Sequence, residues 1–379
     1  MKHKLLPLYL TQALRRFAIS LLSLFTAIYL YRLLGSLSFV FLFFLVYHLS
    51  KLLTNFFAEE WSLRFGLKKE VWLGQLFWPL ILGCFFLSQR ISFLVYPAAV
   101  FWGISAGLYW FGRHGLMAKI ASADGFGQAL GKQEIFSLIP ALLGPLLGGF
   151  LIQAFGYSAL FATALVSILL SLLVLRPMLN KRTHIDTSPI EILKLFKTHK
   201  RMFLAYFGES AAARIYGIVF PLYLFLILKR ELSIGEFFSL SLILVAVLNF
   251  LIGKLVDLKG KRELIEFGSI FSFLIWVGRF AFSQVQALFL FDVSDRVVAR
   301  MTSLPLEVLT YEKALDGGST GRAILFREMA IEMGAIFVCL ALLFLNNLRL
   351  SFVLAAILTL LPLLLVRKEG IYGDGHKKT

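Results

Sequence analysis

Three groups of ionisable residues fall inside strongly apolar runs, where an ion must either be paired or be used. The stretch "FGESAAARIYG" holds Glu209 and Arg214. In "LFLFDVSDRVVARM", Asp292, Arg296 and Arg300 recur at helical four-residue spacing on one drifting face, with Asp295 beside them. "LFREMAIEMG" stacks Glu328 and Glu332 one turn apart, with Arg327 adjacent. A carboxylate removed from water holds its proton more tightly, and a neighbouring guanidinium favours its release, so one small movement can load and unload a proton. Asp292 and Asp295 are the first candidates for that chemistry, then Glu209 and Glu332. Static ion pairs are the other reading of the same spacings, and Asp292 with Arg296 suits it well.

The rest of the sequence offers little to an enzyme. "GGSTG" at 317–321 matches the spacing of a nucleophile elbow, but a helical pattern precedes it where a strand is required. Ser319 or Thr320 reads instead as the cap of the following helix. No catalytic residue, metal site or cofactor is expected. The histidines form no HExxH pattern, and there is no phosphate-cradling glycine loop. Cys84 and Cys339 both lie in apolar runs, as small buried residues commonly do.

These charges are carried by a chain in which 59% of residues are hydrophobic and 16% charged, with a mean hydropathy of +0.82. Continuous runs of about twenty apolar residues read as membrane-spanning helices rather than alternating barrel strands. Twelve are expected, near 13–31, 38–56, 71–87, 93–112, 134–154, 159–175, 203–228, 235–253, 263–281, 287–310, 323–345 and 351–366. With both termini cytoplasmic, the inner segments hold 25 Lys and Arg of the 38 and the outer loops 5. The net charge of +16 therefore reports orientation in a cytoplasmic (inner) membrane and not a nucleic-acid partner.

The longest connection, 176–202, divides the spans into residues 1–175 and 203–379. Ser188, Pro189 and Glu191 have the order of a helix start, and Ile192 to Lys200 suggest a basic amphipathic helix on the inner surface. A plain linker is the alternative.

Two stretches give this arrangement a family likeness. "GKLVDLKGKR" resembles the turn between the second and third helices of a half in the major facilitator superfamily, matching it at Gly253, Leu255, Asp257, Gly260, Lys261 and Arg262, with Leu258 in place of a basic residue. Gly260 could take the left-handed conformation of a sharp turn. The resemblance implies a cytoplasmic latch, with Asp257 facing the start of the fifth helix near Gly131 and Lys132. The first-half turn keeps Arg64, Gly66 and Lys68 but has Leu63 at the aspartate position, leaving Glu59 or Glu60 to substitute. In the fifth helix, Gly131, Gly144, Pro145, Gly148 and Gly149 are similar to a pattern frequent in the family's antiporters, with Pro140 replacing one glycine. A packing seam of small residues explains the same stretch.

The resemblance implies an all-α integral membrane protein of two pseudo-symmetric six-helix halves that rock about a midplane site. It further implies that the seventh and tenth helices line the path, turning Glu209, Arg214, Asp292, Arg296 and Arg300 toward the substrate, while the eleventh is more peripheral. In the first half, Arg15 and Arg16 read as snorkelling residues, His48 as a packing histidine, and Arg113 and His114 as the inner end of a span or part of a site. The expectation is a secondary transporter, acting as a monomer among membrane lipids, that moves a small organic solute by proton-coupled export. A flippase for lipid or lipid-linked sugar and a non-transporting scaffold are the alternatives.

Overall fold

Backbone groups in lipid must be satisfied within the segment or in a closed barrel. This chain takes the first course: among the described residues every regular element is helical. The computed structural model describes residues 6–120, 126–175, 195–256, 260–316 and 320–366, without the side chains of 59, 117–120, 126–135, 249–256, 311–316 and 320–323.

Among the described residues, leaving aside the short helical stretch 195–198, twelve helices follow in chain order. They are α1 (Leu6–Leu34), α2 (Leu37–Phe65), α3 (Leu67–Ser88), α4 (Val95–Ile120), α5 (Phe126–Phe155) and α6 (Tyr157–Leu175). Then come α7 (Lys200–Leu228), α8 (Glu231–Val256), α9 (Lys261–Ala281), α10 (Val285–Asp316), α11 (Thr320–Leu345) and α12 (Leu350–Leu365). Ten are long and apolar enough to cross a membrane. The other two depart for separate reasons: α10 carries Asp292, Asp295, Arg296 and Arg300 in its middle, and α12 is short.

Prolines explain the irregular places. Pro79 cannot donate to the carbonyl of Gln75, and α3 is interrupted at Phe77. Pro362 has the same effect on α12, whose last turn tightens to a 3-10 helix at Leu361–Leu365. In α7, Pro221 follows a π-helical turn at Ile215–Val219. Arg214 and Tyr216, two residues apart, point toward different neighbours, as described below.

Contacts repeat with a period of six helices. α1 packs on α5 and α6, and α7 on α11 and α12; α2 packs on α4, and α8 on α10; α3 packs on α4 and α6, and α9 on α10 and α12. The two sets meet along α5–α8 and α2–α11. The end of the bundle at which Leu6 begins is called here the terminus end.

The α5–α8 seam is tight. A Cβ on Gly149 would lie 2.7 Å from the carbonyl oxygen of Glu231, and one on Gly235 would lie 2.4 Å from that of Pro145. Gly144 and Gly148 face α1 instead, against Ser20 and Phe25. Serines from both neighbours hydrogen-bond to the backbone of α5 beside its prolines. Ser20 Oγ donates to the carbonyl of Pro140 at 3.0 Å. Ser239 Oγ of α8 accepts from Leu146 N–H at 3.0 Å and donates to the carbonyl of Leu142 at 2.9 Å, thereby bridging a helical donor and its usual acceptor. Ser239→Ala is expected to cost about 1–3 kcal/mol by orphaning those groups, read as a lower midpoint of thermal unfolding in detergent.

Two local expectations change. Gly260 is extended, at φ −67° and ψ 151°, because it serves as the N-cap of α9 and no sharp reversal is needed there. The left-handed turn is at Gly66, with φ 86°, where α2 ends and α3 begins without a linker. Glu60 pairs with Arg64 on its own helix at 2.6 Å, in an exposed contact within α2. Lys261 and Arg262 open α9, with Arg262 exposed. Gly131, Lys132 and Gly253, on which the latch turns, are described only as helical backbone, like Glu59 and Thr320; Asp257 lies outside the described residues, as do Ser319 and residues 176–194 of the central connection. Its described end, 195–198, is helical and sets Phe196 against Phe203 and Phe326.

Candidate functional site

A cavity of about 440 Å³ separates the two sets of helices, walled by α1, α2 and α4 on one side and α7, α10 and α11 on the other. It reaches from Trp102 and Ile218 in mid-bundle to Gln12, Glu307 and Arg327 nearer the terminus end. At the opposite end the halves close: Arg32 pairs with Glu231 at 2.9 Å, Tyr157 donates to the same carboxylate at 3.2 Å, and the Arg32 guanidinium lies 5.0 Å from the Phe225 ring.

Along the α2–α11 seam, the wall of this cavity is a buried network of charges. Lys51 Nζ donates to Glu332 Oε1 at 2.6 Å and to Glu328 Oε2 at 3.1 Å. His48 Nδ1 lies 2.7 Å from Glu332 Oε2. With Glu332 ionised beside Lys51, that contact requires the proton to sit on Nδ1. Arg327 reaches Glu328 Oε1 at 3.2 Å, and His114 Nε2 stands 3.9 Å from the same oxygen. Glu332 and His48 are 0% and 1% exposed, so the buried carboxylate depends on partners from the other half. Apolar contacts among Leu52, Phe56, Leu325 and Met329 continue the seam.

A second network lies wholly within α7–α10. Arg279 Nη1 donates to Asp295 Oδ2 at 2.8 Å, and its Nη2 is 3.7 Å from Asp292 Oδ1. Asp292 also accepts from Arg296 Nε at 2.8 Å, from Tyr216 OH at 2.7 Å and from Ser241 Oγ. The Arg279 guanidinium packs over Trp276 at 4.4 Å and Phe220 at 4.5 Å. Arg279→Lys keeps the charge but not the planar fork that serves two carboxylates at once. It should lower stability by about 1–3 kcal/mol, measurable as a shift in the detergent-solubilised unfolding midpoint.

The residues anticipated from sequence are thus distributed over several places. Arg113, His114 and Arg214 line the central cavity, and Glu332 stands behind it through Lys51. Glu209, Asp295 and Arg296 border a separate space of about 120 Å³ inside the second six helices, while Asp292 is fully buried. Arg300 is exposed. Lys51, Arg279 and Ser241 were not anticipated, and His48 was read only as packing. α11 supplies part of the cavity wall.

The Major Facilitator Superfamily model matches residues 8–299. The chain belongs to the major facilitator superfamily. Its fold agrees: a D-xylose–proton symporter superposes with a TM-score of 0.72 at 14% identity, covering 96% of this chain and 97% of that one. An autoinhibited peptide transporter of the POT family gives 0.71 at 11% identity, covering 99% of both. Multidrug resistance protein 2 of Bacillus subtilis (strain 168) is 27% identical over 247 residues, 60% of this chain and 61% of that relative's length. In this superfamily member the cavity between six-helix sets is the place to look for a solute, and the network on its wall the place to look for coupling.

Proposed function

We propose that this protein is a secondary active transporter of a cytoplasmic membrane that exports a small organic solute by alternating access in exchange for protons. Helices up to residue 175 and those from residue 203 move as two bodies joined by 176–202, in a monomer with cytoplasmic termini. The observation that carries the reading is the Lys51–Glu332–His48 cluster, a buried charge set shared between the two bodies on the wall of their common cavity. A proton arriving at Glu332 removes the anion that Lys51 and His48 both hold, and the α2–α11 seam loses its strongest contacts. Deprotonation restores them. Export is favoured by the name of the Bacillus relative, a multidrug resistance protein, and by the glycine and proline pattern of α5, which lies between α1 and α8.

The test is purified protein in liposomes holding a pH dye, with an imposed proton gradient and panels of organic anions, lipophilic cations and sugars. The reading expects at least one compound to discharge the gradient only when protein is present. Labelled solute that equilibrates through the protein without moving protons would replace exchange with uniport.

A further inference from the structure

The central cavity has an excess of positive charge that its own carboxylates do not meet. Arg15, Arg16, Lys51, Arg113, Arg214 and Arg327 line it, against Glu307 and Glu328. Lys51 and Arg327 are engaged by the glutamates of α11. Arg15 and Arg113 are not: among the described residues neither makes an ion pair, although they are only 2% and 5% exposed. Arg15 Nη1 and Arg113 Nε are buried without a hydrogen-bond partner, and the same is true of Arg214 Nε in the facing half. Arg15 and Arg113 carry like charge on the same cavity wall and so repel one another.

Aromatic faces offset part of this cost. The Arg15 guanidinium lies 3.6 Å from the Tyr109 ring centroid, and that of Arg113 lies 5.0 Å from Trp110. Such stacking occupies the face of a guanidinium and leaves its edge donors directed elsewhere. Burying like charges together with idle edge donors destabilises an empty site and suits one that an oxyanion completes, since a carboxylate or phosphate accepts two parallel N–H bonds from each guanidinium. Trp102, Tyr47 and Phe44 extend the lining with apolar surface.

Resting on the transport reading above, we infer that the solute is an organic anion, held by its carboxylate or phosphate between Arg15 and Arg113 of the first half with Arg214 closing from the second. A lipophilic cation would meet unpaired guanidinium groups and bind poorly.

Counterflow uptake into proteoliposomes, without any proton gradient, separates these cases. The probes are labelled benzoate, glycerol 3-phosphate and tetraphenylphosphonium, together with a fluorescent anionic lysophospholipid placed in one leaflet. The expected result is protein-dependent uptake of a soluble anion, with Arg113→Gln raising KM roughly tenfold or more and Arg113→Lys recovering part of it. Flipping of the lysophospholipid, with the same dependence on Arg113 and no soluble uptake, would keep the oxyanion site and place its anion on a lipid. Uptake of tetraphenylphosphonium alone would overturn the anion inference and leave transport intact. If no probe moves, and none of the anions quenches the fluorescence of the cavity tryptophans, both the anion site and the transport reading are wrong.

Discussion

Under the proposed exchange, Glu332→Gln is expected to abolish the link between solute and proton movement while the chain still inserts and folds. The glutamine is nearly the same shape, and Glu328 remains to hold Lys51 at 3.1 Å, so the seam keeps one ion pair. What is lost is the carboxylate for which, on the proposed mechanism, a proton and Lys51 compete. Removing one partner of a buried pair typically costs about 3–5 kcal/mol, and even the lower figure corresponds to a loss of roughly a hundredfold in a rate that depends on the intact pair. Solute-driven quenching of a trapped pH dye gives the rate. Asp292→Asn is the informative comparison. Its four partners lie within the second six helices and it does not line the central cavity, so it should lower thermal stability and leave the ratio of protons to solute unchanged.

A branched side chain at Gly149 props open the end of the bundle opposite the termini. Its Cβ would stand 2.7 Å from the Glu231 carbonyl oxygen and 2.9 Å from the Leu232 Cα. Both atoms are backbone, so no rotamer change relieves the overlap and α5 must retreat from α8. The Arg32–Glu231 pair sits at the same level and should part with it. Gly149→Val is therefore expected to cost about 1–3 kcal/mol or more, concentrated in the state with that end shut. A cysteine at Ser23, which lines the cavity from α1, should then react faster with an impermeant maleimide added from that side, and transport should fall. Labelling at the unmutated rate would show that the seam does not close this end.

Most of the scaffold was legible because spanning helices are written locally. Each apolar run became a helix, and even α10 was recognisable between its charges. Asp292 and Arg296 pair as their four-residue spacing suggests, since both partners lie on one helix. Arg279 was not legible from spacing, because it meets Asp292 and Asp295 from a different helix whose packing angle the sequence does not state. The α2–α11 network joins residues 284 positions apart, from His48 to Glu332. A signal for it did exist. His48 and Lys51 lie one turn apart on α2, and Glu328 and Glu332 one turn apart on α11, as complementary pairs on helices that a six-plus-six repeat brings together. Reading His48 by itself, as a lone polar residue on an apolar face, hid that complementarity. The backbone hydrogen bonds of Ser20 and Ser239 to α5 were hidden for the same reason, since a serine in a span looks like ordinary small-residue packing until its neighbour is known.

The most direct test is a distance between the halves at the terminus end, because it needs no solute. Phe57 on α2 and Phe267 on α9 are exposed and suit spin labels, with Cys84 and Cys339 first replaced by serine and alanine. Double electron–electron resonance would be recorded on the purified protein at neutral and acidic pH, and again with Glu332→Gln. If protons act by releasing Glu332 from Lys51 and His48, acidification lengthens the distance, and the glutamine variant shows the long population already at neutral pH. Distances that ignore both the acid and the substitution would contradict it.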